Sequence, residues 1–538
     1  MSSPKLKMAR RTGSGFTSPF LPTTAQIASI HRITRSGTLP PNPSSLQATA
    51  LLAKTELGRY ESEIAKLQEE LDRLVSERET LLSYAASCRS VLSARQRLPN
   101  EVLVYIFEFC FPHDRYKLGQ HMSREAEVCR ISQYHLIQLG RVSFRWHQIA
   151  MGTPQLWSSI TIDTSIWPRC GPSPQVLLQQ VESSLMRSRN HALDLQADIV
   201  WRRDYGESVF QLLTKSAHRW KNVRIRSFLG PSVRSARTLG RLEKLETLEL
   251  ELGWKALQSL ETPRLRHFRF RGTFDALPAS VPWNQLETCT YDCDDGWNPA
   301  TLSVLRTAND SAVFTFRLNL YQEPNEEIMV SSNIRHISFE VNSYHTDPVR
   351  ELFDALTLPR LQVFEYRSPG VGVVVGSPTW SSDGFMALAH RSAFATHLIR
   401  VSMHARIADE ELLGCLAVLP CLEELSVFDT FGSEYLSYSS TVVTDQFLKG
   451  LLCVPGEAPL VPKLRMLAVT TVMDFTDSVY VDVVVSRIGK IRDVDPSGVF
   501  EACIRRYPEQ RKLTNKARKK LKALVDSGAL LFKAVEVE

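Results

Sequence analysis

The sequence predicts a chain of α plus α/β class in three parts. These are a long N-terminal helix of coiled-coil type, a small three-helix module, and an irregular repeat solenoid bent into a horseshoe. Three observations carry this. Residues 46–92 keep an apolar residue at alternating spacings of four and three. A short apolar stretch with helix signals follows at 96–158. From Trp220 onward an apolar-x-x-apolar-x-apolar pattern recurs ten times, and a repeat of related period decides architecture before local propensity does.

Length and composition bound the answer. The 538 residues suffice for two to four domains at ~100–200 residues each. With 43% apolar and 9% aromatic residues, the composition is globular and wholesale disorder is excluded. No run approaches ~18 uninterrupted apolar residues, so no membrane span is expected. No apolar h-region follows Met1, so no secretory signal is expected either. The ten cysteines are scattered without any C-x-x-C. Cys289 and Cys293 lie four apart, with no second Cys or His pair at zinc spacing. Reduced thiols and a cytoplasmic or nuclear location are the expectation.

The net charge of +6 is uneven. Residues 1–45 carry Lys5, Lys7, Arg10, Arg11, Arg32 and Arg35, and no acid precedes Glu56. Rich in Ser, Thr, Pro and Gly, with Pro40-Pro41-Asn42-Pro43 stopping a helix, this segment reads as a disordered basic tail. Residues 46–95 then form the long helix. Its seam runs Leu46, Ala50, Ala53, Leu57, Tyr60, Ile64, Leu67, Leu71, Leu74, Arg78, Leu81, Ala85, Cys88 and Leu92, with charged residues on the other faces. Two readings stay open: a helix folding back on its own protein, or self-association through 46–92.

In the 96–158 module, Pro99 fits the first turn of a helix, where its missing N–H costs nothing. Leu103, Ile106, Phe107 and Cys110 share one face of that helix. Residues 112–130 are polar and read as a loop. Leu136, Leu139, Val142, Trp146 and Ile149 mark further amphipathic helix, which ends near Gly152.

Residues 159–500 hold the repeats, most spaced 20–27 residues apart, the range of leucine-rich repeats. Thr262-Pro263-Arg264-Leu265, Leu358-Pro359-Arg360-Leu361 and Leu419-Pro420-Cys421-Leu422 introduce three of them almost identically. The Asn or Cys that usually follows the last apolar position is replaced by Gly253, Thr273, Asp294, Pro369 and Thr430, and only Asn342 conforms. An irregular array is therefore expected, with insertions at about 367–397 and 428–463. Residues 501–538 read as a basic helical C-terminal tail: 505–522 hold nine basic residues and one acid, Glu509.

Motifs for chemistry are missing. There is no H-E-x-x-H, G-x-S-x-G, P-loop or kinase signature. Gly370 to Gly376 has one residue too many for G-x-G-x-x-G. No catalytic, cofactor-binding or metal-binding residues are assigned, and no cofactor is expected. Nucleic-acid binding is disfavoured: the basic ends lack aromatic interleaving or a reading helix. The run 516–522 reads first as a solvated end, with nuclear localisation as the alternative.

Leu98-Pro99-x-Glu101-x-Leu103-x-x-Ile106-Phe107, then Val142-Ser143-x-Arg145-Trp146 and Leu156-Trp157, resembles an F-box over 96–158. It departs by the 112–130 loop, and by Ser143 and Phe144 where the family often has Cys and a basic residue. The order coiled-coil helix, F-box, Thr-Pro-x-Leu-Trp, leucine-rich repeats is similar to the expanded F-box proteins of mushroom-forming fungi.

That resemblance implies a non-catalytic substrate-recognition subunit of a Skp–cullin–F-box ubiquitin ligase. Its partners would be a Skp-type adaptor, cullin through it, and a protein substrate. Leu98, Pro99, Leu103, Ile106 and Phe107 would form the adaptor-facing surface, supported by Val142 and Trp146. The same groups could instead dock onto the first repeats. A scaffold without a ligase role is the alternative reading of the whole chain.

In a leucine-rich-repeat strand the residues between the apolar positions face the concave surface. Arg224, Glu249 and Arg269 alternate in sign on adjacent strands, with Arg226, Glu251 and Arg271 beside them, and are expected to pair with one another. The later strands look less self-compensated, which makes Arg317, Glu340, Glu365, Arg367, His404 and Phe428 the candidate substrate-facing residues.

Overall fold

The computed structural model describes residues 20–37, 40, 42–91, 98–110, 133–163, 174–199, 204–227, 239–251, 260–272, 280–293, 299–320, 329–343, 346–368, 380–429, 441–508 and 510–537. The chain divides into two units, Met1–Pro99 and Asn100–Glu538.

The first unit corrects the N-terminal expectation. Helix α1 spans Thr24–Ser36 inside the segment that composition marks as disordered. Its signals are local. Thr23 and Gln26 form a capping box, and Gly37 closes the helix at φ 63. Such a composition offers little for tertiary burial, and α1 buries no residue. Helix α2 spans Pro43–Val91. Pro43 occupies its first position, so the proline run bounds the helix without preventing it. Ion pairs spaced along α2 support it: Arg59–Glu56 at 2.8 Å, Lys66–Glu63 at 3.7 Å, and Arg73 to Glu70 and Glu77 at 2.5 and 2.6 Å.

The second unit opens with helices α3 (Asn100–Phe109), α4 (Gln133–Gly140) and α5 (Phe144–Gly152), then a short 3₁₀ turn, Pro154–Trp157. The 112–130 loop lies outside the described residues. A 14-stranded sheet follows. Its strands are β1 Ser159–Asp163, β2 Leu193–Ile199, β3 Trp220–Ser227, β4 Thr247–Glu251, β5 His267–Arg271, β6 Thr288–Cys293 and β7 Val313–Leu320. They continue as β8 His336–Ser343, β9 Val363–Arg367, β10 Arg400–His404, β11 Glu424–Phe428, β12 Met466–Thr471, β13 Phe500–Arg506 and β14 Leu530–Glu536. Every pair is parallel and consecutive.

Strict alternation explains why these residues are strands. One column of inward side chains runs in register through Val223, Leu248, Phe268, Cys289, Phe314 and Ile337. Two positions on, Phe270, Tyr291, Phe316 and Phe339 form an aromatic column, with ring centroids 5.7–6.4 Å apart between neighbours. Such pairs add about 0.5–1.5 kcal/mol each beyond burial. In β7 the inward residues are Phe314, Phe316, Leu318 and Leu320, so Val313, the first apolar position of that sequence motif, lies on the opposite face.

The sheet is longer than the motif count at both ends. β1 and β2 precede the first motif. They alternate apolar and polar residues (Leu193, Leu195, Ala197 and Ile199 are buried) but lack the leucine spacing. The basic-tail expectation for 501–538 is corrected: β13 and β14 join the sheet. The helix Asn515–Asp526 between them buries Ala517 and Leu521. Thr514 caps this helix, and its N–H donates to Asp477 Oδ2 at 2.6 Å. The lysines that suggest a free tail occupy only its outer face.

Two arginines, Arg487 buried and Arg391 half-buried, hold loop carbonyls. Arg487 donates to the carbonyls of Leu451, Val461 and Leu460 at 2.7–2.8 Å. Arg391 holds those of Phe353 and Leu356. Asn342 donates to Asn319 Oδ1 at 2.9 Å across β8 and β7. Gly253, Thr273, Asp294, Pro369 and Thr430 lie outside the described residues, as does Gly370 to Gly376. Within the two expected insertions, the described parts include the helices Ser382–Ser392 and Asp445–Gly450. Among the described residues no helix is long and apolar enough to cross a membrane.

Candidate functional site

Two surfaces gather the sequence candidates: the helical module and the open face of the sheet.

Helix α3 (Asn-Glu-Val-Leu-Val-Tyr-Ile-Phe-Glu-Phe) carries apolar residues on two sides, Leu103 and Phe107 on one and Val102, Tyr105, Ile106 and Phe109 on another, so packing decides which of them turns inward. Leu103 and Phe107 are 1% and 0% exposed. The Phe107 ring lies 5.0 Å from that of Trp146 on α5. Leu136, Ile149, Ala150, Leu156 and Trp157 are also buried, and Trp157 Nε1 donates to the Ala150 carbonyl at 2.8 Å. The Arg187 guanidinium lies 4.5 Å from the centre of the Trp157 ring, fastening the module to the helix between β1 and β2.

Hydrogen bonds set the module's shape. Arg145 donates through Nε and Nη2 to Asn100 Oδ1 at 3.0 and 2.8 Å, bringing the first turns of α3 and α5 together. Ser143, a departure from the F-box pattern, caps α5: its hydroxyl accepts from the Trp146 N–H at 3.2 Å. Gln155 donates to Glu108.

This packing divides the candidate adaptor-facing residues. Leu103 and Phe107 point into the module's own core. Trp146 is half-buried against Phe107. Ile106 and Val142 are exposed, Pro99 is exposed and Leu98 is half-buried. Val102, Tyr105 and Phe109 are functional candidates that sequence reasoning misses. They continue the exposed stripe at i, i+3, i+4 and i+7 with Ile106. Tyr105 and Phe109 are 61% and 67% exposed and touch edge to face at 4.7 Å. Phe144 is exposed at the start of α5. A helix of three turns with an apolar residue at nearly every position is the signal that could have revealed this second face.

On the open face of the sheet the ionic ladder runs further than the alternating signs suggest. Arg226 forks onto Asp198 with two 2.8 Å bonds. Arg224 meets Glu249 at 3.0 Å, and Arg269 lies between Glu249 and Asp292 at 3.5 and 3.8 Å. The ladder then continues through residues of the later strands, expected to be less self-compensated. Arg317 meets Asp292 at 3.7 Å and Glu340 at 2.6 Å, and Arg367 meets Glu340 at 3.9 Å. His336 Nε2 stands 3.7 Å from Glu365 Oε1. His336 holds the Glu365 carboxyl below its usual range against partial burial, with help from Ser338 and Arg400.

The character changes beyond β9. Ser402, Ser426, Ala468 and Cys503 succeed one another in register along the middle of β10 to β13. Beside them the His404 ring stacks on Phe428 with centroids 5.4 Å apart. Burial, then the nearby Arg367 charge, pushes the His404 pKa down to about 4, so the ring is neutral at pH 7. Thr470 and Arg505 complete this row. Sequence reasoning misses Arg505, because β13 falls in the segment that reads as a tail.

Among the described residues no group of three or more His, Cys, Asp or Glu side chains is placed to hold a metal. Residues 96–163 match the F-box-like family model. No curated protein matches the chain. The chain thus carries an F-box-like domain, which comprises the helical module and β1, and F-box proteins are in general non-catalytic adaptors.

Proposed function

We propose that this protein is the substrate-recognition subunit of a Skp–cullin–F-box ubiquitin ligase, acting in the cytoplasm or nucleus. The observation that carries the reading is the exposed stripe Val102, Tyr105, Ile106 and Phe109 within the F-box-like match. A module this small, with its own core already filled, leaves that apolar surface for a partner. In this reading the Skp-type adaptor contacts the stripe together with Leu98, Pro99 and Val142, and bridges to cullin. Leu103, Phe107 and Trp146 hold the surface in shape from behind.

The sheet is read as a leucine-rich-repeat array of the kind seen in fungal F-box proteins, with a protein substrate on its open face. Arg367, His404 and Phe428, joined by Arg505, are the contacts assigned to substrate. Arg317, Glu340 and Glu365 take part only by exchanging their present ionic partners. No bond is made or broken by this chain. It raises the local concentration of a substrate lysine near a separate conjugating enzyme.

Co-purification of the full chain with a Skp-type adaptor tests the reading. Capture of the adaptor is expected, weakened by Leu98→Ala combined with Pro99→Ala. Absence of capture by the wild-type chain sinks it.

A further inference from the structure

We propose that α2 pairs with α2 of a second copy of this chain, and that the two helices run antiparallel with Leu71 packed on the partner's Leu67.

The helix is 49 residues long, about 70 Å at 1.5 Å per residue. Leu57, Leu67, Leu71 and Leu81 are 59–67% exposed along one seam. An amphipathic helix of this length gains most of its stability by burying such a stripe. Spacing assigns Leu57, Ile64, Leu71 and Arg78 to the a positions and Tyr60, Leu67, Leu74 and Leu81 to the d positions of a heptad.

The fit of the seam residues decides the occupant's orientation. In a parallel in-register pair, like positions meet. Arg78 would then face the partner's Arg78 inside the seam, and Glu56 would face the partner's Glu61. In the antiparallel pair each a position meets a d position. Leu71 then faces the partner's Leu67, Ile64 the partner's Leu74, and Leu57 the partner's Leu81. Arg78 lies over the partner's Tyr60, a favourable guanidinium–ring contact. Ala50 meets the partner's Cys88 and Ala85 the partner's Ala53, so small residues face small residues and the ends can approach closely. The cost is the flank, where Glu70 meets the partner's Glu70 and Glu77 the partner's Glu63. The helix already balances these acids itself, through Arg73 on Glu70 and Glu77 and Lys66 on Glu63.

The test uses the full chain. Sedimentation should give a dimer. Mild oxidation of the Ala50→Cys variant should form a disulfide between the introduced thiol and the partner's Cys88, identified by peptide mapping. The wild-type chain should form no Cys88–Cys88 link. Leu67→Asp with Leu71→Asp should raise the dimer dissociation constant at least ~100-fold, because carboxylates would enter the seam unpaired. Adaptor capture by that variant should be unchanged. A monomeric wild type, or a Cys88–Cys88 crosslink between copies, overturns the proposal. Neither result bears on adaptor binding, and failed adaptor capture leaves the dimer standing.

Discussion

Phe107 and Phe109 sit two residues apart on α3 and should respond in opposite ways to mutation. Phe107 is fully buried against Trp146. Truncation to alanine removes a ring from a filled core, which typically costs about 3–5 kcal/mol. The module's buried apolar residues are few, so a loss of that size should open it locally. Phe109 is two-thirds exposed, and Phe109→Ala should change stability by less than about 0.5 kcal/mol. If the outward stripe is the adaptor surface, Phe109→Ala should cost about 2 kcal/mol of binding as a buried aromatic anchor, roughly 30-fold in Kd. Hydrogen–deuterium exchange over 100–157 reads the first effect, and titration with the immobilised adaptor reads the second. The expected pattern is fast exchange for Phe107→Ala, and native exchange with weakened binding for Phe109→Ala. Native exchange in Phe107→Ala, or undiminished binding by Phe109→Ala, would refute the inward and outward assignments.

Other outcomes follow from the sheet. The His404 pKa, lowered to about 4, lies below the unfolded value of ~6.5. Its contribution is therefore complete above pH ~6.5 and is lost as pH falls toward 4; urea unfolding at pH 7 and pH 5 should show a drop that His404→Phe reduces. Arg487→Ala leaves three buried carbonyls without their donor and should cost about 3 kcal/mol or more, read as a lower unfolding midpoint. Deleting 500–538 should expose the edge of β12 and give insoluble or protease-sensitive protein, since this segment completes the sheet; a soluble, equally stable truncation would contradict that role.

Much of the architecture is legible in the sequence because side-chain period is a local property. Alternation around Leu248 and Leu250, or around Leu425 and Val427, reads as strand wherever it falls. The four-and-three spacing from Leu46 to Cys88 reads as helix for the same reason. Where the signal is weaker, reading fails in identifiable ways. β1 and β2 alternate without leucine spacing. In β13, Phe500, Ala502 and Ile504 are hidden beside Arg505 and Arg506. α1 depends on a capping box that composition does not register.

Local spacing is thus enough to specify the long amphipathic helix, the F-box-like pattern and the repeated strands. It also specifies the parity that puts Arg317, Glu340, Glu365, Arg367, His404 and Phe428 on one face. These follow from geometry within a few residues of each position. Three things were settled by packing alone: which side of α3 is core, that Arg317 and Arg367 share Glu340, and that the C-terminal basic helix joins the last strands. Each of these depends on contacts between segments tens of residues apart, whose register no local spacing encodes. A helix with two apolar sides has no single preferred inner face until another helix supplies one, and a charge on a strand has no partner until its neighbour is aligned.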